Sequence, residues 1–445
     1  MRKGVYISLS SIFLLSILAI FSSNVMAEDA PSIDKGDHAW MLVSTAFVLI
    51  MTPGLALFYG GMVRAKNMVN TLWLSFICMG VVSVIWVLWG YSLSFAPGCW
   101  FIGGLQWCVL GSGIVGQAPS DLYATSIPHL TFMMFQGMFA IITPALITGA
   151  FAERMKFNAW LLLILLWCTI VYPPIAHWVW SSEGWLLGIE SLDFAGGTVV
   201  HICSGASALA VILILGKRKG YPKEAKPPHH LPFVMLGTAL LWFGWFGFNA
   251  GSAVTADGLA ANAFVVTNTA AAAAAVTWSF IEWTFHKKPT ILGACSGAVA
   301  GLVAITPAAG FVGPMASIGI GVPAAILCYL AVAKMKKALG YDDALDVIGV
   351  HAVGGTWGAF ATGLFADSLV NPAAPNGLFH GNPDQLWKQI VGIFAAWAWA
   401  FCITALLTWF VKAVMGIRPS DAEEDIGMDL TQHKEVSYHY YEAQG

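Results

Sequence analysis

Asp193-Phe194-Ala195-Gly196-Gly197-Thr198-Val199-Val200-His201 opens an apolar run that continues to Gly216. The run is about as long as a helix that crosses a hydrocarbon core. It also carries an ionisable ring several residues inside, where such a group is expensive. A second run echoes it: Asp346-Val347-Ile348-Gly349-Val350-His351 starts another apolar stretch. In both, small residues follow the histidine. The spacing from aspartate to histidine differs, so the echo is partial. Asp193 and Asp346 each predict a helix N-cap, where a carboxylate accepts backbone N–H bonds at the positive helix end. Asp193 would in addition place a negative charge near a pore mouth.

The rest of the chain fits a membrane setting. Of 445 residues, 58% are hydrophobic and only 10% charged, against about 25% charged in a soluble domain. Mean hydropathy is +0.73. The net charge of −3, with basic residues in short scattered clusters, excludes nucleic-acid binding as the main task. Residues 1–27 read as a signal peptide: Arg2 and Lys3, an apolar stretch over 5–21, then Val25-Met26-Ala27 as an A-x-A-like cleavage site. The competing reading is an uncleaved first helix. Residues 28–38 then form an extracytoplasmic N-terminus. Eleven apolar stretches follow, at about 39–60, 71–94, 128–152, 158–178, 195–216, 231–252, 259–284, 291–311, 315–335, 346–366 and 387–415. The class expected is an all-α integral membrane protein with a membrane domain over 39–416.

Basic residues set the orientation. Seventeen Lys and Arg follow the odd-numbered stretches, from Arg64 and Lys66 to Lys412, Arg418 and Lys434; the alternate linkers hold only Lys35 and Lys388. The N-terminus is therefore expected outside, the C-terminus in the cytoplasm, and the number of crossings odd. Stretches 1–5 (39–216) and 6–10 (231–366) start on opposite sides, the arrangement of two inverted five-helix repeats plus a final helix. Six cysteines lie in apolar runs. Cys99 and Cys108 share a polar loop, where a disulfide is open if the loop is extracytoplasmic.

Two imidazoles in matching positions can share a proton, one ring donating and the other accepting. They offer a polar step in a dry path, for a small hydrogen-bonding solute or for a proton. No carboxylate or cysteine cluster accompanies them, so neither metal nor cofactor is expected. Phe135-Gln136-Gly137-Met138-Phe139 puts two rings at i and i+4 on one helix face. Trp180, and the run from Trp245 through Phe248 to Ser252, end other helices on the outer side. Aromatic faces with one hydroxyl suit a monovalent cation.

These motifs, with Pro53-Gly54-Leu55-Ala56-Leu57-Phe58-Tyr59-Gly60-Gly61 and Leu292-Gly293-Ala294-Cys295-Ser296-Gly297, resemble the Amt/Mep/Rh ammonium transporters, and in particular the bacterial Amt branch. The resemblance runs from about Asp37 to Glu435. It implies an eleven-helix homotrimer in the inner (plasma) membrane, with one narrow pore per subunit. Ammonium recruitment would fall on Phe135, Phe139, Trp180 and Ser252. Phe139 and Phe248 would close the pore, Trp245 would line it, and His201 and His351 would be its twin histidines. Asp193 would support the outer mouth. Gly416-Ile417-Arg418, Gly427-Met428-Asp429 and His433 follow the family's cytoplasmic tail, here 417–445, which in enterobacterial relatives receives a PII signal protein. Lys434 departs from that pattern, where glycine is usual.

The expected task is to separate ammonium from potassium, ions of similar size. A dry pore does so because ammonium can shed a proton and continue as ammonia, whereas a bare cation meets a large desolvation penalty. A relay of the released proton over His201 and His351 is the favoured route. A sensor is the rival from another class, but no signalling domain follows stretch 11 within this sequence. A membrane enzyme would need a nucleophile–base pair, phosphate loop or metal cluster, and none is apparent. A gas channel is the nearest rival among transporters; Trp180 and Ser252 argue against it.

Overall fold

A computed structural model describes residues 33–111, 113–116 and 118–438. The expected signal peptide lies outside them. The helices follow the apolar stretches: α1 (Lys35–Met62), α2 (Ala65–Phe95), α3 (His129–Phe151), α4 (Phe157–Gly188), α5 (Gly197–Leu215), α6 (Leu231–Ala253) and α7 (Gly258–His286). They continue with α8 (Ile291–Ile305), α9 (Pro314–Leu339), α10 (Val353–Phe365, entered through a wide turn over Ile348–Ala352), α11 (Asp384–Met415) and a short α12 (Asp421–Ile426). Among the described residues, nine of these are long and apolar enough to cross a membrane, and α8 is a shorter apolar helix of 15 residues. The protein is a helical, multi-pass membrane protein.

Local chemistry sets several ends. Asp257 caps α7 by accepting from Leu259 and Ala260, and Thr290 caps α8 through Gly293. The expected stretch to residue 311 is cut short at Ile305. Pro307 has no N–H to continue the ladder, and its carbonyl instead accepts from Phe194 of the α4–α5 linker. The all-α expectation needs one amendment. The α2–α3 loop holds a small antiparallel pair, β1 (Pro119–Ser120) and β2 (Ala124–Pro128).

Two close approaches place the centre of the molecule. α5 crosses the start of α10 so tightly that a Cβ on Gly205 would sit 2.5 Å from Ala352 Cβ, and one on Gly355 would sit 2.9 Å from His201 Cβ. Glycine is what allows the two backbones, and with them the two histidines, to come this near.

Candidate functional site

The first residues of α5 and α10 are built alike. Asp193 Oδ1 accepts from Gly196 and Gly197 N–H (2.8 and 2.7 Å), and Oδ2 from Thr198 and Val199 (2.7 and 3.2 Å). One carboxylate thus satisfies the four donors that a helix start leaves free. At α10 the capping role belongs to Asp343, whose Oδ2 accepts from Ile348 N–H at 2.7 Å. The expectation that Asp346 caps α10 is therefore corrected. Asp346 lies three residues too late, in a left-handed conformation (φ 63°), and pairs with Lys336. With Asp343 in place the echo becomes regular: His201 is the eighth residue after Asp193, as His351 is after Asp343. The third residue after each aspartate, Gly196 or Asp346, has positive φ.

Both histidines are buried, and their Nδ1 atoms lie 3.3 Å apart. One ring must donate there and the other accept, which leaves one Nε2 protonated and the other bare. His201 Nε2 has no hydrogen-bond partner among the described residues. Trp245 stacks on His201 at 5.4 Å (24°), fixed by its indole N–H to Thr306 Oγ1 at 2.9 Å. The pair lines a narrow cavity of about 10 Å³, whose other walls include Leu55, Ile142, Trp245, Phe248 and Val299. His351 also lines a second small cavity with Tyr59, Ser296 and Asp346.

On the other side of the histidines the rings of Phe139 and Phe248 meet at 4.3 Å, tilted by 40°. Beyond them opens a cavity of about 200 Å³ lined by Phe139, Trp180 and Ser252, together with Tyr123, Phe132, Gln136 and others. Trp180 stands edge-on to Phe139 at 5.7 Å and donates its indole N–H to Asp193 C=O at 3.0 Å. Ser252 donates to Phe248 C=O at 2.9 Å, which turns its lone pairs elsewhere. Phe135 is not among the residues lining this cavity. It is buried behind Phe139 (5.0 Å) and against Gly251. Tyr123 and Gln136 were not singled out from sequence. Gln136 sits inside a motif read for its rings, and Tyr123 comes from a loop without periodicity.

The far end of the helices is held by ions. Glu153 binds Arg64 (2.9 Å) and Arg218 (3.4 Å); Asp342 binds Arg218 (2.8 Å), with the fully buried Arg154 at 3.8 Å. Burial opposes ionisation of Glu153 and Asp342, but the arginine bonds and charges outweigh it and hold both carboxyls below their usual range. The tail docks on this layer. Ser420 and Glu423 form a capping box for α12, and Gly427 (φ 118°) ends it. Arg418 pairs with Glu424, Asn67 accepts from Met428 N–H (2.8 Å), and Asp429 accepts from Asn70 N–H (2.8 Å). Lys434 adopts φ 59°, the left-handed region that favours glycine. Cys99 and Cys108 are free thiols.

A model described as the Ammonium Transporter Family matches residues 39–438. The ammonium transporter of Bacillus subtilis is 53% identical over 403 residues, 91% of this chain and 98% of its own. Ammonium transporter Amt1 of Archaeoglobus fulgidus is 48% identical over 405 residues, covering 91% and 99%. The crystal structure of Saccharomyces cerevisiae Mep2 has a similar fold, with TM-score 0.81 at 40% identity, covering 88% of this chain and 92% of that one. The relatives are named as transport proteins, not enzymes.

Proposed function

The chain belongs to the ammonium transporter family, and from that premise we propose that it recruits NH4+ at an aromatic outer cavity and delivers NH3 through a dry pore to the cytoplasm. Ammonium transport is the function; the route is the proposal. The cation is held by the faces of Phe139 and Trp180 and by the Ser252 hydroxyl, with Phe135 buttressing Phe139 from behind. Its proton passes to the bare Nε2 of the histidine pair as Phe139 and Phe248 part, and neutral ammonia follows. Inside, the free nitrogens of His201 and His351 exchange hydrogen bonds with ammonia, and their shared Nδ1 contact carries the released proton in the same direction. Potassium has no proton to give up and stays outside.

The observation that carries this reading is the 3.3 Å histidine pair in a cavity otherwise walled by apolar and aromatic side chains. A hydrogen-bonding pair in such a place is costly unless a hydrogen-bonding solute uses it. The test is current in proteoliposomes of the full chain under an ammonium gradient, with an equal potassium gradient as control. Ammonium current without potassium current is expected; equal currents would reject the mechanism.

The larger frame belongs to the same proposal. It has eleven crossings in two inverted five-helix repeats plus α11, a homotrimer in the inner membrane, an outer N-terminus after signal cleavage, and a cytoplasmic tail. Support comes from the matched Asp193–His201 and Asp343–His351 segments and from the basic linkers. The docked tail, with its acidic α12 against Lys219 and Arg418, is the surface we assign to a PII signal protein.

A further inference from the structure

The outer cavity has few oxygens to offer. Ammonium carries four N–H donors and arrives without most of its hydration, so each uncompensated donor weakens capture. Ser252 supplies one acceptor. Tyr123, also in the wall, commits its hydroxyl proton to Phe95 C=O at 2.6 Å and lies 3.2 Å from Ser181 Oγ. The other polar wall residue is Gln136, on α3 one turn before Phe139. Its carbonyl oxygen Oε1 is shut off from solvent and has no donor within reach among the described residues. A buried amide oxygen in that state carries a desolvation cost that nothing recovers. The terminal amide torsion is broad and roughly two-fold, so the oxygen can turn toward a donor that enters the cavity.

We propose that Gln136 is a further ammonium-binding residue, its carbonyl oxygen accepting an N–H bond from the cation beside Trp180 and Ser252. The inference rests on the recruitment reading above and adds an oriented acceptor to it. Aromatic faces attract any small cation; a carbonyl set at one side of the site favours a cation whose charge is carried on N–H bonds. Methylammonium, with three N–H donors, depends on each acceptor more than ammonium does.

The experiment is uptake of ammonium and of methylammonium by proteoliposomes of the full chain, comparing wild type, Gln136→Met, Gln136→Glu and Trp180→Leu. Methionine keeps the length and flexibility of the side chain and removes the acceptor. It should raise the half-saturation concentration about fivefold to tenfold, more for methylammonium than for ammonium, with maximal rate changed less than twofold. Glutamate keeps acceptor oxygens and should lower half-saturation at least twofold. Unchanged half-saturation in Gln136→Met, alongside a shift in Trp180→Leu, overturns the role of Gln136 and leaves the aromatic cavity standing. No shift in either variant overturns both. Should the methionine variant fail to assemble, glutamate decides alone: half-saturation equal to wild type or higher rejects the proposal.

Discussion

At the start of α5, Asp193 spends both carboxylate oxygens on four backbone N–H groups, and the chain enters the helix through Gly196. At the start of α10, Asp343 holds the same place, but its carboxylate meets only the backbone N–H groups of Ile348 (2.7 Å) and Val347, and the chain enters through Asp346, itself bound to Lys336. The two ends therefore share a backbone device and differ in charge. Burial, and next the Asp346 carboxylate beside it, push the Asp343 carboxyl above its ordinary range. The difference extends outward from each start. Beside Asp193 lies an aromatic cavity with a hydroxyl and an amide; beside Asp343 lies a layer of arginine–carboxylate pairs that also seats the tail. Pseudo-symmetry sets where the histidines meet, and the departures from it give the two ends different chemistry: aromatic rings beside Asp193, paired charges beside Asp343.

The largest effect should come from removing the two capping carboxylates. Asp193→Ala strands four buried donors, each worth about 1–3 kcal/mol when left unpaired, so a loss of at least about 4 kcal/mol is expected. Asp343→Ala strands fewer and should cost about 1 kcal/mol. Apparent melting of the purified protein, followed by size-exclusion chromatography after heating, reads the difference. Equal losses would mean that the two starts are energetically alike despite their unequal bonding.

Next in size are the histidines, where the halves should behave alike. An aspartate in the narrow apolar cavity around the pair keeps a proton-capable group. It also adds a potential negative charge, which is either neutralised or stabilises a passing cation. His201→Asp and His351→Asp should both admit potassium, while alanine at either position should mainly reduce ammonium current. Potassium and ammonium currents measured in the same liposomes decide it. Leakage through one variant only would break the equivalence of the pair, and full ammonium current with unchanged potassium exclusion in all four would remove the relay.

Much of this was legible in the chain. Hydrophobic runs located the helices, though some ends lie six to ten residues off, as at Ala65 and Gly188, because a membrane-crossing helix must hide its whole backbone and only long apolar runs can do so. The histidine pair stood out because an ionisable ring in such a run is costly. What failed was register. Asp346 resembles a cap by position, and only the fold reveals that the turn before α10 begins at Asp343. Hydropathy also carried α8 past Ile305, since residues 306–311 are apolar but lack a continuous ladder after Pro307. Phe135 shares a helix face with Phe139, yet the close packing of Gly251 sets its ring behind the cavity wall. Gln136 and Tyr123 carry no pattern at all; they matter through what tertiary packing places opposite them.

The smallest effect isolates the residue at which the two starts differ most. Asp346 sits at φ 63°, where a side chain costs up to about 1–2 kcal/mol, less for aspartate than for most residues. Its bond to Lys336 offsets part of that, although both side chains are about a fifth to a quarter exposed (21% and 24%), so the pair is worth about 0–1 kcal/mol. Asp346→Gly removes the strain and the pairing together, and makes the α10 start resemble that of α5. The two terms nearly cancel, so stability should change by less than about 1 kcal/mol. The reverse exchange is closed, since a Cβ on Gly196 would lie 2.7 Å from Val200 Cγ2 at φ 114°. What should move is Asp343: without the neighbouring carboxylate its own carboxyl falls back toward the ordinary range, which a shift of its carboxyl signal in pH-dependent infrared difference spectra would report. A melting temperature lowered by more than about 2 °C, which in a chain of this length is more than about 1 kcal/mol, would show that the Lys336 pair, not the backbone turn, holds the start of α10 together.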